Sequence, residues 1–393
     1  MLYSRRLDAV AHSATIEISD RVKRLRAEGR DVINMAAARP NFDAPPEVKA
    51  ATIRALEDPQ FSAYTESRGL LELREAVSRR LESDLGLRYD PQSEILVTVG
   101  QREGMFVALQ ALVDPGDRVL VPDPGWVTYR SAVALAGGEP VSIGFSPGDG
   151  FRPILDDIER GAGDGARTLI LNTPANPTGT VYSRRELEGI RDVAVDSDMI
   201  VITDEIYAPF LYDGKEHVSP ASLEGMFERT LVTGAVSKAW AMTGWRVGFA
   251  AGPAELIDRM LMIHQHLVSC PCAFAQKGAV TALTGTAHRV DEMVASYRRR
   301  RDILARGFRD LPGMEYVVPE GACFFFPAFP GIAMGGRQLA AEFLERAGLA
   351  LTPGEAFGPA GAGRLRISFA ATPEDLLPDV LDRMSRVLTA LVR

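Results

Sequence analysis

The sequence predicts an α/β protein: a mainly parallel, seven-stranded sheet between helices, with a smaller α+β part toward the C-terminus. Short runs of β-branched and apolar residues recur between residues 95 and 251 without polar alternation, which marks strands covered on both faces. Stretches with helical spacing lie between most of these runs, and strand–helix alternation favours parallel pairing. Beyond about residue 286 the alternation gives way to one long charged helix and several short strand-like runs.

In order along the chain, 47–56 and 69–81 have helical spacing, 95–99 (ILVTV) reads as strand and 104–112 as helix. Residues 118–121, 168–171 (TLIL), 199–203 (MIVIT), 230–233 (TLVT) and 247–251 (VGFAA) follow as buried strands. A charged helix over about 290–311 leads into an antiparallel set at 316–318, 323–326, 349–352 and 364–368, and a last helix begins near Pro373. We expect a large α/β domain at 47–285, and a small domain in which 1–46 pack with 286–393.

A chain of 393 residues exceeds what one hydrophobic core holds. Its apolar fraction of 46% and charged fraction of 24% are those of a soluble globular protein. A formal net charge of -8 lacks the basic footprint of a nucleic-acid binder. No run is apolar enough to span a bilayer, and the N-terminus MLYSRRLDAVAHSATIEISD has no signal-peptide core. The 3 cysteines, Cys270, Cys272 and Cys323, fit free thiols. A cytoplasmic protein that binds neither nucleic acid nor membrane is expected.

Open parallel sheets bind ligands outside the carboxyl ends of their strands. The polar residues of interest fall there: Gly100-Gln101-Arg102 after ILVTV, Asn172 through Gly179 after TLIL, Asp204 through Tyr207 after MIVIT, and Ser237-Lys238 after TLVT. Arg246 follows Lys238 by eight residues, in G-W-R-V-G, a step that returns a cation to the same pocket. Asn176 stands in N-P-T-G, where proline and glycine set a turn. Singly, each residue has a plain structural reading. Asp204 would cap a helix, Asn176 hold a turn, Trp126 and Tyr64 pack in a core, and Arg366 pair with an acid. Together they supply an imine-forming amine, a buried carboxylate, hydrogen-bond donors and an anion cradle.

The chain resembles the class I aminotransferases of fold type I, in pattern the bacterial aspartate/prephenate type, from about Ser13 to the C-terminus. The likeness rests on Y-T-E-S-R-G-L-L-E-L-R-E-A, D-P-G-W-V-T-Y, N-P-T-G, D-E-I-Y, S-K with G-W-R-V-G, and R-L-R-I-S-F-A, in that order. It implies a pyridoxal 5'-phosphate enzyme that moves an amino group between an α-amino acid and a 2-oxo acid by a ping-pong route. It implies that Lys238 holds the cofactor as a Schiff base and carries the proton. Asp204 would pair with the pyridine nitrogen, Tyr207 and Asn176 donate to the phenolic oxygen, and Trp126 stack on the ring. Ser237, Arg246 and the backbone at Gln101 and Arg102 would hold the phosphate. Tyr64 would reach the phosphate of the neighbouring subunit in a homodimer. Arg366 would grip the substrate α-carboxylate, with Ala38, Asn176 and Trp126 around it.

Two departures bear on specificity. Where the family usually reads G-E-P-D-F-D, this chain has Ala38-Arg39-Pro40-Asn41-Phe42-Asp43, which replaces an acid with a cation at the entrance. Arg102 matches a position that often carries a lysine for a distal carboxylate, and it either takes that role or contributes only its backbone. Ile16, Phe324 and Phe357 are expected to make the pocket apolar, which suits a specialised biosynthetic enzyme. The alternatives are another pyridoxal-phosphate reaction (β-lyase, decarboxylase or oxidase) and, more remotely, a ligand-sensing module on the same fold. Gly161-Ala162-Gly163-Asp164-Gly165 precedes a strand and is no dinucleotide fingerprint, while His264 and His266 point to different helix faces and are expected to be structural.

Overall fold

The computed structural model describes residues 4–392. The chain enters through α1 (Ala14–Ala27), β1 (Ile33–Asn34), α2 (Pro46–Glu57) and α3 (Leu71–Leu85). The main sheet follows: β2 (Ile95–Thr98), α4 (Gln101–Leu112), β3 (Arg118–Asp123), α5 (Thr128–Ala136), β4 (Glu139–Ser146), β5 (Arg152–Pro153), α6 (Leu155–Gly163), β6 (Thr168–Asn172), α7 (Arg184–Asp196), β7 (Ile200–Asp204), β8 (Thr230–Ala235) and β9 (Gly248–Ala251). Then come α8 (Ala254–Leu267), α9 (Ala273–Gly285), α10 (Ala287–Phe308), β10 (Phe324–Phe325), α11 (Gly336–Ala347), β11 (Leu349–Ala350), β12 (Thr352–Pro353), β13 (Leu365–Ser368) and α12 (Leu377–Leu391).

The strand order is β2-β9-β8-β7-β6-β3-β4-β5. The pairs β8–β7, β7–β6, β6–β3 and β3–β4 are parallel, whereas β9 runs antiparallel to both β2 and β8, and β5 antiparallel to β4. Burial on both faces explains the unalternating runs. Leu96, Val119, Val121, Ile170 and Ile202 pack with Met105 and Leu109 of α4 and Ile257 of α8, while Leu120, Leu169, Leu171 and Val201 pack with Ile158 of α6 and Leu187 of α7. Ser183 and Glu186 start α7 with a reciprocal capping box, and Gly86 in the left-handed region ends α3.

The sheet has eight strands where seven were expected, because the two-residue β5 adds an edge beyond β4. The expected helix at 69–81 starts only at Leu71: Gly69 has φ +96° and sits where a Cβ would strike Val97. The strand expected at 316–318 is absent. Backbone pairing there is limited to a bridge between Glu315 and Ala328, and the Tyr316 hydroxyl donates to the Ala305 carbonyl at 2.6 Å. The other C-terminal runs do pair, β13 lying antiparallel between β10 and β12. β1 pairs in parallel with β11, and Val22 and Val32 form a small core with Leu344 and Ala350, so the N-terminal segment is joined to the C-terminal part.

Candidate active site

The carboxyl ends of β6, β7 and β8 open on a cavity of about 390 Å³, in the range of small-molecule sites. Its walls include Ala38, Gln101, Arg102, Trp126, Asn176, Asp204, Tyr207, Lys238 and Arg366, which come from widely separated parts of the chain. Thr15, Ile16, Ser19, Asp20 and Lys23 of α1 and Arg39 close its outer side. Ser237 and Arg246 do not line the cavity. Tyr64 is 84% exposed and does not line the cavity, which excludes the plain alternative of a core tyrosine.

Asp204 ends β7 and is 3% exposed. Its Oδ2 accepts from the Tyr129 hydroxyl at 2.6 Å and its Oδ1 from the Ile206 amide at 3.2 Å. Burial pushes its carboxyl up to about 6, against the pull of the bonds from Tyr129, Ile206 and Gln101. Asn172, at the end of β6, donates to the Asp204 carbonyl at 2.9 Å and accepts from the Asn176 amide at 2.7 Å, which ties the two strand ends together. The sequence assigns no role to Tyr129, and points to Asn172 only as the first residue of the 172–179 loop. Tyr129 had a signal: it closes the D-P-G-W-V-T-Y motif that also carries Trp126.

Lys238 Nζ donates to the Ala38 carbonyl at 2.7 Å. Burial lowers its pKa to about 8, and the nearby Arg366 and Arg246 push the same way. Arg366 is buried between the rings of Phe324 (4.6 Å) and Phe357 (4.8 Å). These two phenylalanines therefore flank the guanidinium instead of lining the cavity, whereas Ile16 does line it. Arg366 donates to Asn176 Oδ1 at 3.0 Å and to the Ala36 carbonyl at 2.6 Å, and its Nε has no partner. Burial lowers its pKa to about 10. Among the described residues no carboxylate pairs with it, so a buried cation faces the cavity with only neutral acceptors.

At the far end, no side chain caps the N-terminus of α4, whose first residues are Gln101 and Arg102. Arg246 is held there by the carbonyls of Thr243 (3.1 Å) and Val99 (3.3 Å), with φ +57°. Gly100 must be glycine: its φ is +72° and a Cβ would overlap the Arg246 guanidinium. An open helix N-terminus beside a guanidinium is an anion cradle. The Gln101 side chain turns inward to Thr233 Oγ1 (3.3 Å), and the Arg102 guanidinium lies 5.0 Å from the Trp126 ring centroid. His264 is spent on Glu103, at 2.9 Å.

A depressed amine, a buried carboxylate, an anion cradle and an uncompensated arginine in one cavity fit a cofactor with an aldehyde, a basic ring nitrogen and a phosphate, next to a substrate carboxylate. Comparison with known proteins agrees. Residues 30–384 match the family model described as aminotransferase class I and II. The chain belongs to the class I and II aminotransferases. It is 38% identical over 390 residues to the aspartate aminotransferase of Pyrococcus abyssi, covering 99% of this chain and 98% of that one. It is 36% identical over 390 residues to aromatic-amino-acid aminotransferase 2 of Thermococcus litoralis, with 99% and 98% covered. The structure of Thermus thermophilus aspartate aminotransferase with maleate superposes with a TM-score of 0.93 at 38% identity, covering 99% of this chain and 100% of that one.

The aminotransferase therefore uses pyridoxal 5'-phosphate and moves an amino group between an amino acid and a 2-oxo acid. The lyase, decarboxylase, oxidase and sensor alternatives are not favoured. When bound, the cofactor supplies a carbon that takes up the amino group and a ring that takes up electrons from the breaking C–H bond.

Proposed function

We propose that Lys238 carries the cofactor and then the proton, that Asp204, supported by Tyr129, keeps the pyridine nitrogen protonated, and that Arg366 binds the substrate α-carboxylate. The observation that carries this reading is the buried Arg366, with no acidic partner among the described residues, facing the cavity that also holds Lys238 Nζ. A buried unpaired cation is costly, and a substrate carboxylate would offset that cost with two charge-assisted bonds. Asn176 Oδ1 accepts from Arg366, which leaves its amide hydrogens to donate to the phenolic oxygen, the role also assigned to Tyr207. Trp126 would stack on the ring. Ser237, Arg246 and the backbone amides of Gln101 and Arg102 would take the phosphate.

Substrates with an acidic side chain suit the rest of the cavity. Arg102 and Arg39 both line it, and neither forms an ion pair among the described residues, whereas Lys23 is paired with Asp20. The exposed Tyr64 is assigned to the phosphate of a second subunit, which makes the working form a homodimer. We place the large domain at 47–285 and the small domain at 1–46 with 286–393, a division supported by the β1–β11 pairing. No helix among the described residues is long and apolar enough to cross a membrane. Separately, the free thiols of Cys270, Cys272 and Cys323 suit a reducing compartment, and we assign the enzyme to the cytoplasm.

The test is to mix the loaded enzyme, without oxygen, with single amino acids and to follow its visible spectrum and products. Loss of the starting band with one equivalent of the matching 2-oxo acid, fastest with glutamate or aspartate, is expected. Ammonia release without that stoichiometry would overturn the assignment.

A further inference from the structure

A second buried polar cluster lies directly behind Asp204. Asp204 lines the active-site cavity, but its neighbour Glu205 lines a separate cavity of about 500 Å³. Glu205 is 6% exposed. Its Oε1 accepts from Ser219 Oγ at 2.6 Å, and its Oε2 lies 2.8 Å from His217 Nε2. The His217 side chain is sealed from solvent, and its Nδ1 has no partner.

Each carboxylate oxygen of Glu205 thus has its own side-chain partner, which fixes the orientation of the group. The backbone is locked at the same place: the Glu205 amide donates to the Thr233 carbonyl at 3.1 Å and the Ala208 amide to the Glu205 carbonyl at 2.9 Å. Arg80, Asp84, Lys215 and Glu216 complete the charged lining of this rear cavity, all more exposed than Glu205 and therefore better screened. The turn that carries Asp204 and Tyr207 into the active site is thus held from behind by a carboxylate with no role of its own in the front cavity.

We propose that Glu205, with His217 and Ser219, is a positioning residue of the amino-transfer site: it anchors the 204–207 turn, and its charge raises the proton affinity of the groups that Asp204 faces. This rests on the assignment of Asp204 to the pyridine nitrogen. Burial is the main cause that raises the Asp204 carboxyl, and the field of Glu205 adds a smaller push in the same direction.

Two substitutions separate charge from packing. E205Q keeps the size and loses the charge, whereas E205D keeps the charge and shortens the reach. In the holoenzyme, the visible absorbance is titrated against pH, with the cofactor Kd and the Tm of the apoprotein measured alongside. Removing an anion disfavours nearby positive charge. The E205Q midpoint should therefore move to lower pH by roughly half a unit or more. Its kcat should fall while KM for the amino acid changes by less than about twofold. E205D should keep the wild-type midpoint whatever its Tm. Equal midpoints in wild type and E205Q, or the same displacement in E205D as in E205Q, would overturn the proposal. D204N is the reference. A midpoint that D204N leaves in place removes the assignment of Asp204, whereas one moved by D204N but not by E205Q removes the role of Glu205 alone.

Discussion

Replacing Arg366 with alanine isolates the interaction on which substrate binding is proposed to turn. Its guanidinium lies 4.6 Å from the ring centroid of Phe324 and 4.8 Å from that of Phe357, and its partners, Asn176 Oδ1 and the Ala36 carbonyl, are neutral. Each charge-assisted hydrogen bond to a substrate carboxylate contributes about 1.5–3 kcal/mol. Two such bonds give about 3–6 kcal/mol, and kcat/KM for an amino acid should fall by roughly 10²–10⁴. The loss should appear mainly in KM and in the Kd of a carboxylic-acid inhibitor, because the carboxylate is held before and during reaction alike. Stability should respond differently. Alanine removes a buried cation with no counter-ion, so the lost stacking and bonds are offset by a relieved desolvation cost. The apoprotein Tm should change by only a few degrees. The control is a primary amine without a carboxylate, whose slow reaction should be unaffected. The reasoning is refuted if inhibitor Kd is unchanged in R366A, or if the carboxylate-free amine loses as much rate as the amino acid.

Lys238 should take up cofactor with a rate that rises with pH about a midpoint near 8, because its amine is depressed to about 8 by burial; a midpoint near 10.5 in stopped-flow absorbance would contradict this. In the apoprotein Asp204 is raised from 3.8 to about 6, so the folded chain holds a proton that the unfolded chain has released, and stability falls as pH rises through that window. D204N should remove up to about 3 kcal/mol of that loss, making the apoprotein more stable than wild type at pH 7.5 in urea unfolding, while the loaded variant binds cofactor less tightly. Inorganic phosphate at ten times its Kd should stabilise the apoprotein by about 1.4 kcal/mol through the α4 N-terminus, and R246A should abolish the thermal shift. Mixing inactive Tyr64→Phe and Lys238→Ala chains should restore activity in heterodimers, and no recovery would remove the shared-site role of Tyr64.

What was legible in the sequence was what repeats or lies at a strand end. Runs such as TLIL and MIVIT stand out because both faces of the sheet are covered, and the residues after them gather by the geometry of parallel strands alone. β4 escaped the element-by-element reading because Val141, Ile143 and Phe145 alternate with less apolar neighbours and the strand lies next to the sheet edge. Residues 316–318 look like a strand because tyrosine and valine favour extended backbone, but Tyr316 is held by Phe308, Phe325 and the Ala305 carbonyl instead of by a ladder. Phe324 and Phe357 were read as pocket walls because their apolar character shows and their orientation does not. The Glu205–His217–Ser219 cluster left no periodic trace, since its members come from an irregular loop folded behind a strand.

The charges in the cavity account for these features together. Arg39, Arg102, Lys238 and Arg366 line it, and Asp204 is the buried carboxylate on its wall, the other acid there, Asp20, being paired with Lys23. In an ordinary core such an excess would be removed by selection for stability. Here two of the cations fit anions that arrive from outside: Arg246 a phosphate at the α4 N-terminus, and Arg366 a carboxylate. Until they arrive, burial, helped by the like charges, holds Lys238 near the pH at which it can lose its proton, and an amine must be unprotonated to attack a carbonyl carbon. Positive charge thus serves two purposes in one cavity: it recognises two anions and it keeps the lysine nucleophilic. Substitutions that neutralise Arg246 or Arg366 should therefore raise the Lys238 pKa as well as weaken binding, a coupling that a purely steric role for either arginine would not produce.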